Sequence, residues 1–230
     1  MRLRQHVARL EESLALQGRP ARLPEAEARR ALAAALGACG YPESRVRVTF
    51  APPRLFVSVE PFTPLPASFY REGVPCVTLP LERDNPRAKD TRFIATAADA
   101  YARLPAGTHE GLLVSGAGEI LEGLSSNFFA VDGGGLRTEP DRALPGVTRS
   151  QVLELARDVL PVTLAPVRKE EVASLAEAFL TSVSRGVLPV VRIDDVTLGP
   201  GRPGPVTLEL MRRFEALAEQ EAESVLEAPS

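Results

Sequence analysis

The run Gly118-Glu119-Ile120-Leu121-Glu122-Gly123-Leu124-Ser125-Ser126-Asn127-Phe128-Phe129 governs the reading of this chain. Residues 112–115 and 119–121 are apolar stretches on either side of Gly116-Ala117-Gly118, which predicts a β-hairpin. Residues 128–131 are again strand-like and end at Asp132-Gly133-Gly134-Gly135, a further turn. Between the two strands stand Glu122, Ser125, Ser126 and Asn127. Strand packing does not require such a polar set. Asparagine is otherwise rare, and Asn85 is the only other one. Taken alone, Glu122 reads as a strand-edge surface charge, so its surroundings must decide.

The next clue lies upstream. Of 27 basic residues, only Lys89 and Lys169 are lysines. Arginine supplies solvated positive charge but cannot be deprotonated in a protein, so it cannot form a Schiff base. A lysine kept in such an arginine-biased chain is a candidate for amine chemistry. Lys169 sits in Arg168-Lys169-Glu170-Glu171, a charge run that reads as a solvated helix start. Lys89 sits in Asn85-Pro86-Arg87-Ala88-Lys89-Asp90, at the mouth of an apolar helix. A lone lysine at a helix start is usually only solvated, so Lys89 too depends on its context.

Working outward, residues 5–17 place Val7, Leu10, Leu14 and Leu16 among charges, the pattern of an amphipathic helix. Residues 24–39 open with Pro24-Glu25 and stop before Gly40, a second helix with start and stop signals. Residues 46–50 and 55–59 alternate around Ala51-Pro52-Pro53-Arg54, a hairpin. Pro61, Pro64 and Pro66 suit neither helix nor sheet. Residues 63–72 are therefore read as a stiff linker between a small α/β domain, 1–62, and a larger domain, 73–230.

The larger domain is expected to begin with a strand near 74–79. The helix after Lys89 is expected to bury Phe93, Ile94, Ala97, Ala98, Tyr101 and Leu104. Further elements are a helix over 148–159, a strand over 162–167, a short helix over 169–176, strands over 178–183 and 188–193, and a helix from 205 into the 220s. The tail at Ala228-Pro229-Ser230 is read as frayed. Helices mixed with hairpin-linked strands indicate α+β rather than a doubly wound parallel sheet.

Composition excludes several classes. Apolar residues make up 44% and charged residues 25%, ordinary for a globular protein. A net charge of −3 gives no electrostatic case for nucleic acid or a membrane surface. No apolar run approaches the ~18 residues of a membrane span. No signal peptide is visible, and Cys39 and Cys76 are isolated, which fits a cytoplasmic location. Gly116-Ala117-Gly118-Glu119 stops short of a dinucleotide fingerprint and lies in a hairpin. With only His6 and His109, a zinc cluster or a Ser-His-Asp triad has little to work with.

Lys89, a helix, and then Glu122-Gly123-Leu124-Ser125-Ser126-Asn127 together resemble the fold-type IV pyridoxal-phosphate enzymes. That family includes branched-chain aminotransferases, D-amino-acid aminotransferases and aminodeoxychorismate lyases. The resemblance continues in Leu144-Pro145-Gly146-Val147-Thr148-Arg149 and in Glu177-Ala178-Phe179-Leu180-Thr181-Ser182-Val183-Ser184, leading into Leu188-Pro189-Val190-Val191. Near the start, His6-Val7-Ala8-Arg9-Leu10 is similar to the family's H-x-x-R-L segment. Order and spacing together give these motifs their weight.

The resemblance implies a two-domain α+β subunit with pyridoxal 5'-phosphate bound covalently to Lys89. It implies that Glu122 faces the pyridine nitrogen and holds its proton. Arg9, the backbone N–H groups of Val147 and Thr148, and Ser182 with Val183 would bind the phosphate. Ser125, Ser126 and Asn127 would shape the turn beside the ring. The implied reaction moves an amino group between an amino acid and a 2-oxo acid in a homodimer. The alternatives are aminodeoxychorismate lyase and a cofactor-binding protein with little catalysis.

Three features depart from the family pattern. The strand pair that usually precedes the H-x-x-R-L helix is not in this sequence, so the N-terminal domain is expected to be shortened and the pocket more open. Arg92 stands where many members carry asparagine. Val183 stands where aminotransferases often place a threonine on the phosphate, a slight lean toward the lyase.

Overall fold

The computed structural model describes residues 2–225. Contacts divide the chain between Pro64 and Leu65 and again between Leu217 and Ala218. The first unit contains helices α1 (Leu3–Leu16) and α2 (Glu25–Gly37) and the antiparallel strands β1 (Ser44–Ala51) and β2 (Arg54–Pro61). Val7, Leu23 and Ala28 form its buried cluster, with Leu3, Leu10, Phe50 and Leu55 packed against it. The heptad-like spacing in α1 and the alternation in β1 and β2 aim these side chains at one core.

In the second unit, α3 (Ala67–Glu72) occupies most of the segment expected to be a stiff linker. Pro66 directly precedes it with φ −54° and ψ 138°. A proline just before a helix fixes an entry geometry, and its missing N–H is no loss there. Next come β3 (Val74–Leu79), α4 (Arg92–Ala102), β4 (Glu110–Val114), β5 (Glu119–Gly123), β6 (Asn127–Asp132), β7 (Gly135–Thr138) and α5 (Val147–Ala156). After them come β8 (Val162–Leu164), β9 (Val167–Arg168), a 3-10 turn at Lys169–Ser174, β10 (Glu177–Ser182), β11 (Gly186–Ile193), β12 (Val196–Thr197) and α6 (Pro205–Gln220). Thus α6 runs past Leu217, the second point of division. The expectation for Ala228-Pro229-Ser230 lies outside the described residues.

Two further sequence expectations change. The single strand over 162–167 is split at Ala165-Pro166: β8 pairs with β7 and β9 pairs with β5. Proline lacks the N–H a continuous ladder needs. In α4, Ile94 is 45% exposed and Ala98 is exposed, while Phe93, Ala97, Ala100 and Tyr101 face the apolar cluster. The buried stripe is therefore narrower than expected and follows the 93, 97, 100 and 101 spacing.

The ten strands of the second unit make one mixed sheet, with β11–β3 and β3–β4 parallel. An additional pairing of β5 with β6 joins its two arms. The strands β5, β6, β10, β11, β3 and β4 therefore close into a ring, and closure removes free edges from those strands. Alternate residues from each of these strands, including Cys76, Leu112, Ile120, Phe128, Leu180 and Leu188, form the main core. Burying one such large apolar side chain stabilises by about 1.5–3 kcal/mol. On the other face of β6 and β10, Phe129 and Phe179 stack with ring centroids 4.9 Å apart.

Candidate active site

The pairing that closes the ring sets Glu122 opposite Asn127. The intervening turn is tight: the Gly123 N–H donates to the Ser126 carbonyl at 2.8 Å. A Cβ on Gly123 would lie 2.3 Å from Ser126 Oγ and 3.1 Å from Glu110 Cγ, so any side chain there would displace the Ser126 hydroxyl and press on Glu110. Gly146 has the same constraint, since its Cβ would lie 2.2 Å from Asn127 Oδ1. That close approach brings the start of α5 against the β5–β6 pair.

Glu122 is 2% exposed. Its Oε2 accepts from the Leu144 N–H at 3.0 Å and from Asn127 Nδ2 at 3.3 Å. Its Oε1 accepts from Arg83 Nη1 at 3.3 Å. Asn127 also donates to the Leu144 carbonyl at 2.8 Å. Burial pushes the Glu122 carboxyl up to about 7, against the opposing pull of Arg83, the Leu144 N–H and Lys89. The strand-edge reading of Glu122 is thereby excluded.

Lys89 is exposed and lies in the irregular segment between β3 and α4. Its charge is felt at Glu122. Asp90 follows it and accepts the Arg92 N–H at 2.8 Å and Arg92 Nε at 2.6 Å, at the entry to α4. Lys169, the other lysine, donates to Thr78 Oγ1 at 2.8 Å and pairs with Asp194 at 3.3 Å. Ordinary polar and ionic contacts hold that amine.

Val147 and Thr148 open α5 and are buried. Gly146 precedes them and no side-chain hydrogen bond caps the helix, so its first N–H groups keep their donor capacity. Ser182 ends β10 half-buried, and Val183 is 70% exposed. Two buried polar atoms adjoin these residues in sequence without a hydrogen-bond partner: Thr181 Oγ1 and Arg149 Nε. Arg9 belongs to the first unit, where it is half-buried with Nη2 3.4 Å from His6 Nδ1. Burial lowers its pKa from the usual arginine value.

Ser125 and Ser126 turn toward Glu110, which is fully buried. Glu110 Oε2 accepts from Ser126 Oγ at 3.1 Å, Ser125 Oγ at 3.3 Å and Arg185 Nη1 at 2.8 Å, and Oε1 accepts from the Tyr101 hydroxyl. Arg185 also donates to Ser182 Oγ at 3.0 Å and Ser125 Oγ at 2.7 Å. One guanidinium thus joins the β5–β6 turn to the β10–β11 turn. His109 is half-buried beside Phe69, and burial first, then Arg185, lowers its pKa.

Sequence reasoning missed Arg83, Glu110, Arg149 and Arg185. Arginine is the default cation of this chain, so its functional positions carry no compositional signal. Glu110 lies just ahead of the strand read over 112–115, and no motif marked it.

Residues 1–193 match the family model for class IV amino-transferases. The chain belongs to the class IV aminotransferases. It is 33% identical over 120 residues to the branched-chain-amino-acid aminotransferase of Escherichia coli, covering 51% of this chain and 39% of that protein. It is 27% identical over 160 residues to a putative branched-chain-amino-acid aminotransferase of Methanocaldococcus jannaschii, covering 66% and 56%. The chain spans about half the length of the curated relatives it matches. A putative branched-chain aminotransferase of Thermotoga maritima superposes with TM-score 0.78 and 28% identity over 98% of this chain and 81% of that one. Another branched-chain amino acid aminotransferase, solved with pyridoxamine 5'-phosphate, superposes at 0.80 with 22% identity, covering 96% and 80%. These relatives are named aminotransferases, and neither the lyase nor the non-catalytic alternative finds support among them. Among the described residues, no helix is long and apolar enough to cross a membrane.

The donor set suits the family's cofactor. A buried carboxylate could accept a charged ring N–H, an uncapped helix start could accept a phosphate, and a lysine stands within electrostatic range of the carboxylate.

Proposed function

We propose that this class IV aminotransferase moves an amino group between an amino acid and a 2-oxo acid with pyridoxal 5'-phosphate held at Lys89 and Glu122. The observation that carries this reading is the buried Glu122 carboxylate opposite Asn127, with the charge of one of only two lysines acting on it. Family membership supports the same reaction class.

When bound, the cofactor supplies an aldehyde carbon and an electron-withdrawing ring. Lys89, with its Nζ uncharged, would hold the cofactor's aldehyde carbon and would take and return a proton at Nζ. Glu122 would hold a proton on the ring nitrogen through a charge-assisted hydrogen bond. Asn127 and the Leu144 N–H keep that carboxylate oriented. The N–H groups of Val147 and Thr148, with Ser182 and Val183, would bind the phosphate, and the family resemblance adds Arg9 to them. Ser125 and Ser126 hold the turn beside the ring by their bonds to Glu110.

The same reading includes a homodimer in the cytoplasm, supported by the family resemblance and by the isolated cysteines. The decisive experiment is borohydride reduction of the protein loaded with pyridoxal 5'-phosphate, followed by peptide mapping. Reduction should fix the cofactor on the peptide that contains Lys89. Label on Lys169, or none, overturns the proposal. A panel of L- and D-amino acids, read by loss of the cofactor's absorbance, then gives the substrate class and its handedness.

A further inference from the structure

The segment between β3 and α4 carries Lys89 but contains no helix or strand. A reactive amine on such a segment needs something to fix its distance from the partner carboxylate. Arg83 meets that need. Its Nη1 donates to Glu122 Oε1 at 3.3 Å, and its Nη2 donates at 3.1 Å to the carbonyl of Ala88, the residue before Lys89. The guanidinium carbon lies 4.5 Å from the ring centroid of Phe93, in the first turn of α4. The side chain is 10% exposed, whereas Lys89 is exposed. A guanidinium is a rigid planar fork, so the separation of its two bonded partners is fixed by covalent geometry. Lysine, a compact charge on a flexible stem, has donors enough for two partners but no planar fork to fix their separation. A carboxylate offers about four lone-pair sites, so Glu122 retains room for another donor while Arg83 is bound.

We propose that Arg83 is a positioning residue that registers the Lys89 segment against Glu122. This inference rests on the roles given to Lys89 and Glu122 above and goes beyond them, because it names what sets the distance between the two groups. The side chain acts before the cofactor arrives and does not touch the reacting atoms.

The test uses the full chain, freed of cofactor and titrated with pyridoxal 5'-phosphate. Wild type, Arg83→Lys and Arg83→Met are compared by thermal melting without cofactor, by the rate of attachment read from the absorbance change, and by borohydride mapping. Attachment should slow by at least ~10-fold in Arg83→Met, since a misplaced reacting group loses orientation. Label should still fall on Lys89, and the cofactor-free melting temperature should stay near that of wild type. Arg83→Lys keeps the charge but lacks the fork, so it should attach as slowly as Arg83→Met. It also serves alone if Arg83→Met does not fold. A wild-type attachment rate in either variant overturns the inference. A slowed rate that only tracks a large drop in melting temperature assigns Arg83 to the fold and overturns it as well. Failure of the site reading looks different: wild type itself then carries no label on Lys89.

Discussion

Glu122 is buried within β5 with three donors on its carboxylate, whereas Lys89 is exposed on an irregular segment. The two groups of one proposed site are thus held by different means. The carboxylate works by its ionisation and direction, and both demand a rigid, buried frame. The amine works by reach, which a buried strand residue would not have. A rigid element carries the group that must not move, and a tethered loop carries the one that must.

Removing the loop-held group gives the largest expected effect. Lys89→Ala should lower amino transfer by more than about 10³-fold, in the range seen when a covalent catalyst is deleted. Lys169→Ala is the control and should leave transfer rates unchanged. Equal losses in both variants, measured at saturating cofactor, would dissolve the contrast between the lysines.

The sheet-held group comes next. Glu122→Gln keeps shape but loses the anion that holds the ring proton. Turnover should fall about 10²-fold, with cofactor binding retained. An unchanged turnover number would put Glu122 outside the site.

Arg9 extends the comparison to the first unit. Arg9→Ala should weaken cofactor affinity by about 1.5–3 kcal/mol, the value of a hydrogen bond to a charged group. Equilibrium titration with pyridoxal 5'-phosphate measures it, and unaltered affinity removes Arg9 from the phosphate site.

The smallest effect sharpens the physics of burial. Glu122 titrates at about 7 in the folded chain against an ordinary value of 4.5, so the native state binds more protons between these values. Its contribution to stability is fully present below about pH 4.5 and is lost as pH rises through about 7. Arg83, Lys89 and the Leu144 N–H face this group and moderate the loss. Glu122→Gln should remove this component, so that without cofactor wild type loses more stability than the variant on going from pH 4.5 to about 7. Parallel stability curves would mean that Glu122 is not desolvated.

Much of this was legible from residues. The apolar periodicities marked nearly every element, because burying one face sets a period of 2 in strands and 3.6 in helices. Misreadings arose where local pattern competes with context. Ala165-Pro166 splits an apolar run into β8, which pairs with β7, and β9, which pairs with β5. Ile94 is apolar yet exposed, since one stripe of α4 suffices for its contacts. The arginines that bridge these groups, Arg83 and Arg185, carried no signal among so many arginines.

By itself, the sequence determined which atoms are available: a rare lysine, a glutamate, a Ser-Ser-Asn turn, and a glycine before a helix start. Their order and local conformation follow from backbone propensities and short-range turn chemistry. Only the tertiary structure decided that β5 meets β6 to close the ring, and with it that Glu122 faces Asn127 and loses contact with water. That pairing depends on the whole sheet's twist and strand order, which no short window encodes. Burial of the carboxylate is a property of the closed ring, and so is the proton affinity that burial gives it.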